Sequence, residues 1–318
     1  MTTRPAVPNF FIVGAPKSGT SALFEHLSGH PEVFVPRLKE PMYFGSDLRF
    51  LNCRPPTADE YLALFADAEN AVRVGEASTT YLYSRLAAAE IKKFNPDARI
   101  IIMLRDPVAV MHAWHGENLV KGVEPIRNFA FALEAEGRRR AGHDLPKNRR
   151  GLREGLYYRD IVEYDAHVRR YFEIFGPERV HVILFEDWAA ATADAFEATL
   201  AFLEIDQSFK PSLGVVNPSR LIRSHRVHDL IADPPARLGR ATRAVVPLRV
   251  RRAARYELLR LNTRTAQRAP IDPALKQRLR AELTPGIERL AALIDRDLSR
   301  WTAQPQESAV ATMAGGSC

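Results

Sequence analysis

The turn from Gly14 to Gly19 carries the densest chemistry in the chain: Gly-Ala-Pro-Lys-Ser-Gly, followed at once by Thr20 and Ser21. It gathers one ammonium, Lys17, and the hydroxyls of Ser18, Thr20 and Ser21 around two glycines. No packing need explains that combination. The apolar run 10–13 before it reads as a buried parallel strand. After it, Leu23, Phe24 and Leu27 recur at helical spacing. A strand–loop–helix of this kind aims several backbone N–H groups at one point, and the helix N-terminus adds its positive dipole end. The ligand it suits is a phosphate or another oxyanion. Gly14 and Gly19 have the spacing of the nucleotide loop G-x-x-x-x-G-K-[ST], but Thr20 stands where that loop has lysine, and the lysine lies inside the turn. That displacement argues against an ordinary ATPase or GTPase.

The elements that must position this turn alternate along the chain. Strands are expected at 10–13, 72–76, 99–104 and 180–185. Helices are expected from Thr20, at 59–65, at 82–94 before Asn95-Pro96, over most of 108–175, at 194–202 and at 273–301. Strands alternating with helices imply an α/β fold with a central parallel sheet flanked by helices and a helical C-terminal part. In such sheets ligands sit beyond the carboxyl ends of the strands. The 14–19 turn, Glu76 and Arg105 all follow a strand end, so they are expected to converge. Residues 30–47 form a loop with a short extended piece, in which Pro36 and Pro41 bracket Lys39-Glu40. A basic, Gly- and Pro-containing interruption at 138–151 is a candidate lid. Residues 206–235 read as irregular, and 237–268 are rich in arginine. Beyond 301 the chain reads as a disordered tail, which leaves one domain over 1–301.

A chain of 318 residues with 46% hydrophobic and 26% charged residues can bury a large core. It has no apolar run of the roughly 18 residues that a membrane span needs, and no signal-peptide apolar region precedes the first strand. Two cysteines, Cys53 and Cys318, make no disulfide framework, so a reducing cytoplasm is expected. The net charge of +7 suits an anionic ligand. No His/Cys cluster has ligand spacing, so no metal is expected. Aromatic residues are sparse among the arginines of 237–268, so nucleic acid is not the expected partner.

The segment Pro16-Lys17-Ser18-Gly19-Thr20-Ser21 resembles the 5′-phosphosulfate loop of sulfotransferases that use 3′-phosphoadenosine-5′-phosphosulfate (PAPS). Leu104-Arg105-Asp106-Pro107 is similar to their L-R-[ND]-P element, Gly155-Leu156-Tyr157 to G-x-Y, and Phe185-Glu186-Asp187 to F-E-D. Asp297-Leu298-Ser299-Arg300-Trp301 resembles the D-L-S-x-W of bacterial members, and Lys39-Glu40-Pro41-Met42-Tyr43-Phe44 the K-E-P-H-F-F of bacterial and glycan-type members. The set runs in the family's order over roughly residues 9–301. Two positions depart from it. Ala113 stands eight residues after Arg105, where the family has a serine on the 3′-phosphate, and Met42 stands where many relatives have histidine.

The resemblance implies a P-loop-like fold and transfer of a sulfuryl group from PAPS to a hydroxyl of a glycan, lipid or secondary metabolite, with 3′,5′-ADP as product. In that scheme Pro16, Lys17, Ser18, Gly19, Thr20 and Ser21 hold the 5′-phosphosulfate. Lys17 neutralises the leaving oxygens, and Arg105 takes the 3′-phosphate in a two-pronged contact. Glu40 is the candidate base, with Lys39 beside the sulfuryl group. Glu76 is expected to support the site rather than to act on the substrate. His112, His115 or a backbone N–H is left to stand in for the missing serine. Besides the acceptor, the expectations include no nucleic acid partner and no membrane span, and a homodimer stays open. The alternative, a P-loop-type nucleotide kinase or hydrolase, would need a lysine next to the second glycine, which is absent.

Overall fold

The computed structural model describes residues 7–51, 54–68, 70–146, 151–211, 220–232, 248–266 and 268–303. Both cysteines, residues 304–318 of the expected tail and 147–150 of the candidate lid lie outside them. So do 212–219 and 233–247, which belong to the segments read as irregular and as arginine-rich.

Phe10–Gly14 (β1) is the middle strand of a five-stranded parallel sheet. Its neighbours are Arg73–Ala77 (β4) on one side and Arg99–Leu104 (β5) on the other. Val180–Leu184 (β7) lies outside β5, and Val33–Phe34 (β2) outside β4. The order β2-β4-β1-β5-β7 contains the four strands that the apolar runs predict. The fifth, β2, falls in the 30–47 segment expected to be a loop with a short extended piece, because two residues are too few for an alternation. Phe50–Leu51 (β3) with Gly151–Leu152 (β6), and Arg220–Ile222 (β8) with Thr263–Thr265 (β9), form two small antiparallel pairs.

The strands β1 and β5 are apolar at nearly every position because both faces are covered. Phe11, Val13, Ile100, Ile102 and Leu104 point into one core, with Ile91, Val108, Met111, Val168 and Leu279. Phe10, Ile12, Ile101 and Met103 point into the other, against Leu23, Leu27, Phe196 and Leu200. Along the chain the helices are Thr20–Ser28 (α1), Ala58–Leu62 (α2), Ala87–Phe94 (α3), Pro107–Val120 (α4), Phe129–Arg140 (α5), Tyr158–Ile161 (α6), Tyr164–Phe175 (α7), Phe185–Ala190 (α8) and Thr192–Leu203 (α9). Further helices run over His225–Ala232, Leu248–Leu261, Pro273–Ile294 and Ser299–Thr302. No helix of the described residues is long and apolar enough to cross a membrane.

Several boundaries move for physical reasons. The helix expected at 82–94 begins only at Ala87, because Ser84 spends its hydroxyl on the Leu86 and Ala87 N–H groups. Phe185 opens α8 instead of closing β7. The segment read as irregular contains β8 and the helix His225–Ala232.

The lid expectation fails at its first residues. Arg139 is fully buried and grips Glu124 through two N–H···O bonds of 2.7 and 2.8 Å, with Tyr158 donating to the same carboxylate at 2.6 Å. This ties α5 to α6. Removing one partner of such a pair leaves the other charge buried, so Glu124→Gln is expected to destabilise the protein by about 3–5 kcal/mol. Urea unfolding would measure it, and an unchanged midpoint would contradict that account of the pair.

Candidate active site

The turn, Arg105 and the Lys39-Glu40 pair meet beyond the carboxyl ends of β1, β5 and β4. Gly19 has φ +92°, and a Cβ there would lie 3.0 Å from the Phe185 ring, so both backbone and space call for glycine. It opens α1 without a side-chain cap, which leaves the first N–H groups of the helix to whatever the turn holds. Of the predicted turn residues, Thr20 and Ser21 present hydroxyls that accept from the Lys39 ammonium, at 3.3 and 3.0 Å. Pro16 and Ser18 are buried, and the Ser18 hydroxyl faces the Pro16 carbonyl at 3.5 Å. Those two shape the turn with their backbone.

Lys17 turns away from the other hydroxyls. Its backbone is left-handed, φ 62°, and its ammonium reaches across to Glu117 on α4 at 3.3 Å. Glu117 also pairs with Lys121 at 3.4 Å. Arg105 is half-buried: one N–H donates to the Lys17 carbonyl at 3.2 Å, and the guanidinium lies over the Phe185 ring, 4.5 Å from its centroid. The adjacent motif residues brace it. Asp106 caps α4 by accepting the Val108 and Ala109 N–H groups, and Glu186 accepts the Asp106 N–H. Asp187 holds Arg296 and Arg300, beside the buried Trp301. The Gly155 carbonyl receives the Trp114 indole and the Asn118 amide, so that motif buttresses α4.

Glu40 reaches the site because β2 runs parallel to β4, so the chain leaves β2 on the same side as the turn. The Glu40 N–H donates to the Ala77 carbonyl and its Oε1 accepts from Thr79, both at 2.9 Å. Lys39 Nζ lies 3.8 Å from the same oxygen. Burial pulls the Lys39 pKa down; Glu40 opposes this, and Lys121 and Lys17 add to it. Lys39 therefore spans the turn hydroxyls and the carboxylate.

Glu76 lies behind this loop, fully buried, and accepts from Tyr61, Ser78 and Tyr81 at 2.7–3.0 Å. Burial raises its pKa to about 7 against the pull of those hydroxyls. Ser78 and Tyr81 in turn accept the Met42 and Tyr43 N–H groups. Glu76 thus anchors the loop that carries Glu40.

Beside Ala113, burial disfavours the charged form of both histidines. Burial, with Arg268 and His115 adding to it, holds His112 at about 4. His115 is lowered by burial as well, and its Nε2 is engaged with the Ile126 carbonyl at 2.9 Å. The charge on this flank of α4 comes from Arg268, which sequence reasoning missed. Its guanidinium packs on Gly116, where any Cβ would collide with it, and its Nε is buried without a partner among the described residues. Arg105 and Glu117 both act on it through space. The signal was weak, one arginine in an arginine-rich stretch.

Known proteins resemble the chain in sequence and fold. The chain is 29% identical to a sulfotransferase from Alicyclobacillus acidocaldarius of known crystal structure, with a TM-score of 0.69 over 94% of this chain and all of that one. It is 33% identical to mouse carbohydrate sulfotransferase 15 over 150 residues, which cover 34% of this chain and 26% of that protein. Human heparan sulfate glucosamine 3-O-sulfotransferase 6 is 29% identical over 131 residues, 40% of this chain and 36% of that protein. The matches thus span only about a quarter to a third of those relatives. The sequence profile of the sulfotransferase domain covers residues 7–221, more than half of the chain, and the chain belongs to that family.

Proposed function

We propose that the protein transfers a sulfuryl group from PAPS to the hydroxyl of a small molecule or glycan. The observation that carries the reading is the meeting of Lys17, Lys39 and Arg105 around the 14–19 turn, with Glu40 beside Lys39. The turn N–H groups, Thr20 and Ser21 cradle the 5′-phosphosulfate. Arg105, joined by Arg268, holds the 3′-phosphate where Ala113 offers no hydroxyl. The partnerless buried Nε of Arg268 fits an anion at that place.

In the reaction the acceptor oxygen attacks sulfur, and the bond from sulfur to the 5′-phosphate oxygen breaks. The acceptor proton passes to Glu40. Thr79 and Lys39 both engage Oε1 of that residue, so Oε2 is the oxygen left for the proton. The leaving 3′,5′-ADP keeps the electron pair, and Lys17 neutralises the charge that develops on it.

Nucleotide choice tests the reading. Calorimetry is expected to show 3′,5′-ADP binding at least about tenfold more tightly than 5′-AMP, since the extra phosphate meets charged N–H donors. Arg105→Ala should remove most of that difference. Equal affinity of the wild-type protein for the two nucleotides would rule PAPS out as donor.

A further inference from the structure

Glu117 is a carboxylate inside a site built for an anion. Burial alone would raise its pKa. Lys121 and Lys17, by charge and hydrogen bond, reverse this and hold it at about 2. Its charged form is favoured, and an arriving phosphosulfate meets its negative charge. Such a group weakens donor binding unless the surrounding cations need it.

They do. Lys17 from the turn lies 3.3 Å from it, and Lys121 from the end of α4 lies 3.4 Å from it. Arg268, from the segment after β9, acts on it through space. Lys121 also feels Glu40 and Tyr256, and Arg268 feels Arg105. Lys39, in the loop beyond β2, is the next cation, and Lys121 and Lys17 already disfavour its charge. Without Glu117 the mutual repulsion of Lys17, Lys39 and Lys121 would be opposed by Glu40 and, at Lys39, by Glu25. We propose that Glu117 is a positioning residue. It holds the Lys17 and Lys121 ammoniums together beside the turn, offsets their mutual repulsion, and moderates donor affinity in doing so. The inference rests on the PAPS reading.

The test is calorimetric titration with 3′,5′-ADP at about pH 7 and about pH 9.5, for the wild type, Glu117→Gln and Glu117→Asp. At the lower pH, Glu117→Gln is expected to bind about fivefold more tightly, because a repelling charge is gone. Removing a carboxylate lowers the pKa of neighbouring lysines, so their protons leave at lower pH. Glu117→Gln should then lose at least about tenfold in affinity by the higher pH, where the wild type loses less than about threefold. Glu117→Asp keeps the charge and should follow the wild type. A role confined to packing would move neither the affinity nor its pH dependence. Glu117→Gln tracking the wild type at both pH values overturns the proposal while leaving the donor reading intact. A wild type that does not bind 3′,5′-ADP overturns both.

Discussion

Lys17→Ala is expected to lower sulfuryl transfer by about 10²–10³-fold, the loss typical of one preorganised donor at a developing charge. The fold should survive. The Lys17–Glu117 pair is nearly one-third exposed on each side, 31% and 27%, and pairs of that kind contribute about 0–1 kcal/mol. The melting temperature should therefore shift by only a few degrees. The reason for so large a kinetic effect is placement. Lys39 occupies Thr20 and Ser21, and Arg105 leans on the Lys17 carbonyl and the Phe185 ring. Neither can shift to the leaving oxygens without giving up those contacts. Radiolabelled PAPS with an acceptor chosen from a hydroxyl panel supplies the rate, and a thermal melt supplies the stability. Turnover near the wild-type value with the fold intact would take Lys17 out of the reaction.

The fold was legible wherever burial forced a pattern. The runs 10–13, 99–104 and 180–184 are apolar at nearly every position because helices cover both faces, and each forms a strand of the sheet. The turn was legible because lysine and hydroxyls between glycines have no use in a core. What stayed hidden depends on distant pairing. Two residues, Val33 and Phe34, carry no periodicity, yet their pairing with β4 brings Glu40 to the site. Arg268 lies 163 positions beyond Arg105 in the chain, counted as 268 − 105, and only the fold brings the two guanidiniums within reach of each other's charge. Arg139 read as part of a basic lid because a buried arginine is invisible until Glu124 is placed beside it. Glu117 gave no signal at all, since an acid on an amphipathic helix usually faces water.

The choice of base separates Glu40, which the sequence places in the loop after the first helix, from Glu76, which it places at a strand end and the structure places inside β4. Glu40 has the proton-accepting geometry: Oε1 is held by Thr79 and Lys39, and Lys39 ties it to the donor turn through Thr20 and Ser21. Glu76 has the opposite surroundings. It is fully buried, three hydroxyls donate to it, and Tyr61 and Tyr81 stand between it and the loop. Burial raises its pKa to about 7 and disfavours its charged form, and no acceptor can touch it without displacing those hydroxyls. Glu40→Gln keeps the size and removes the proton acceptor. It is expected to reduce transfer by about 10²–10⁴-fold, the usual contribution of general base catalysis, with 3′,5′-ADP affinity nearly unchanged because the base acts on the acceptor. Glu76→Gln is expected to keep transfer within about tenfold of wild type, since it loosens the Met42–Tyr43 support without removing the base. Its raised pKa has a sign that can be checked as well. A carboxyl more basic in the folded state than in the unfolded chain supports folding fully below about pH 4.5 and loses that support as pH rises through about 7. Glu76→Gln should therefore flatten the fall in melting temperature across that window, and Glu40→Gln should not. If transfer instead vanishes in Glu76→Gln and persists in Glu40→Gln, the base is Glu76, and Glu40 serves only to hold Lys39 over the turn.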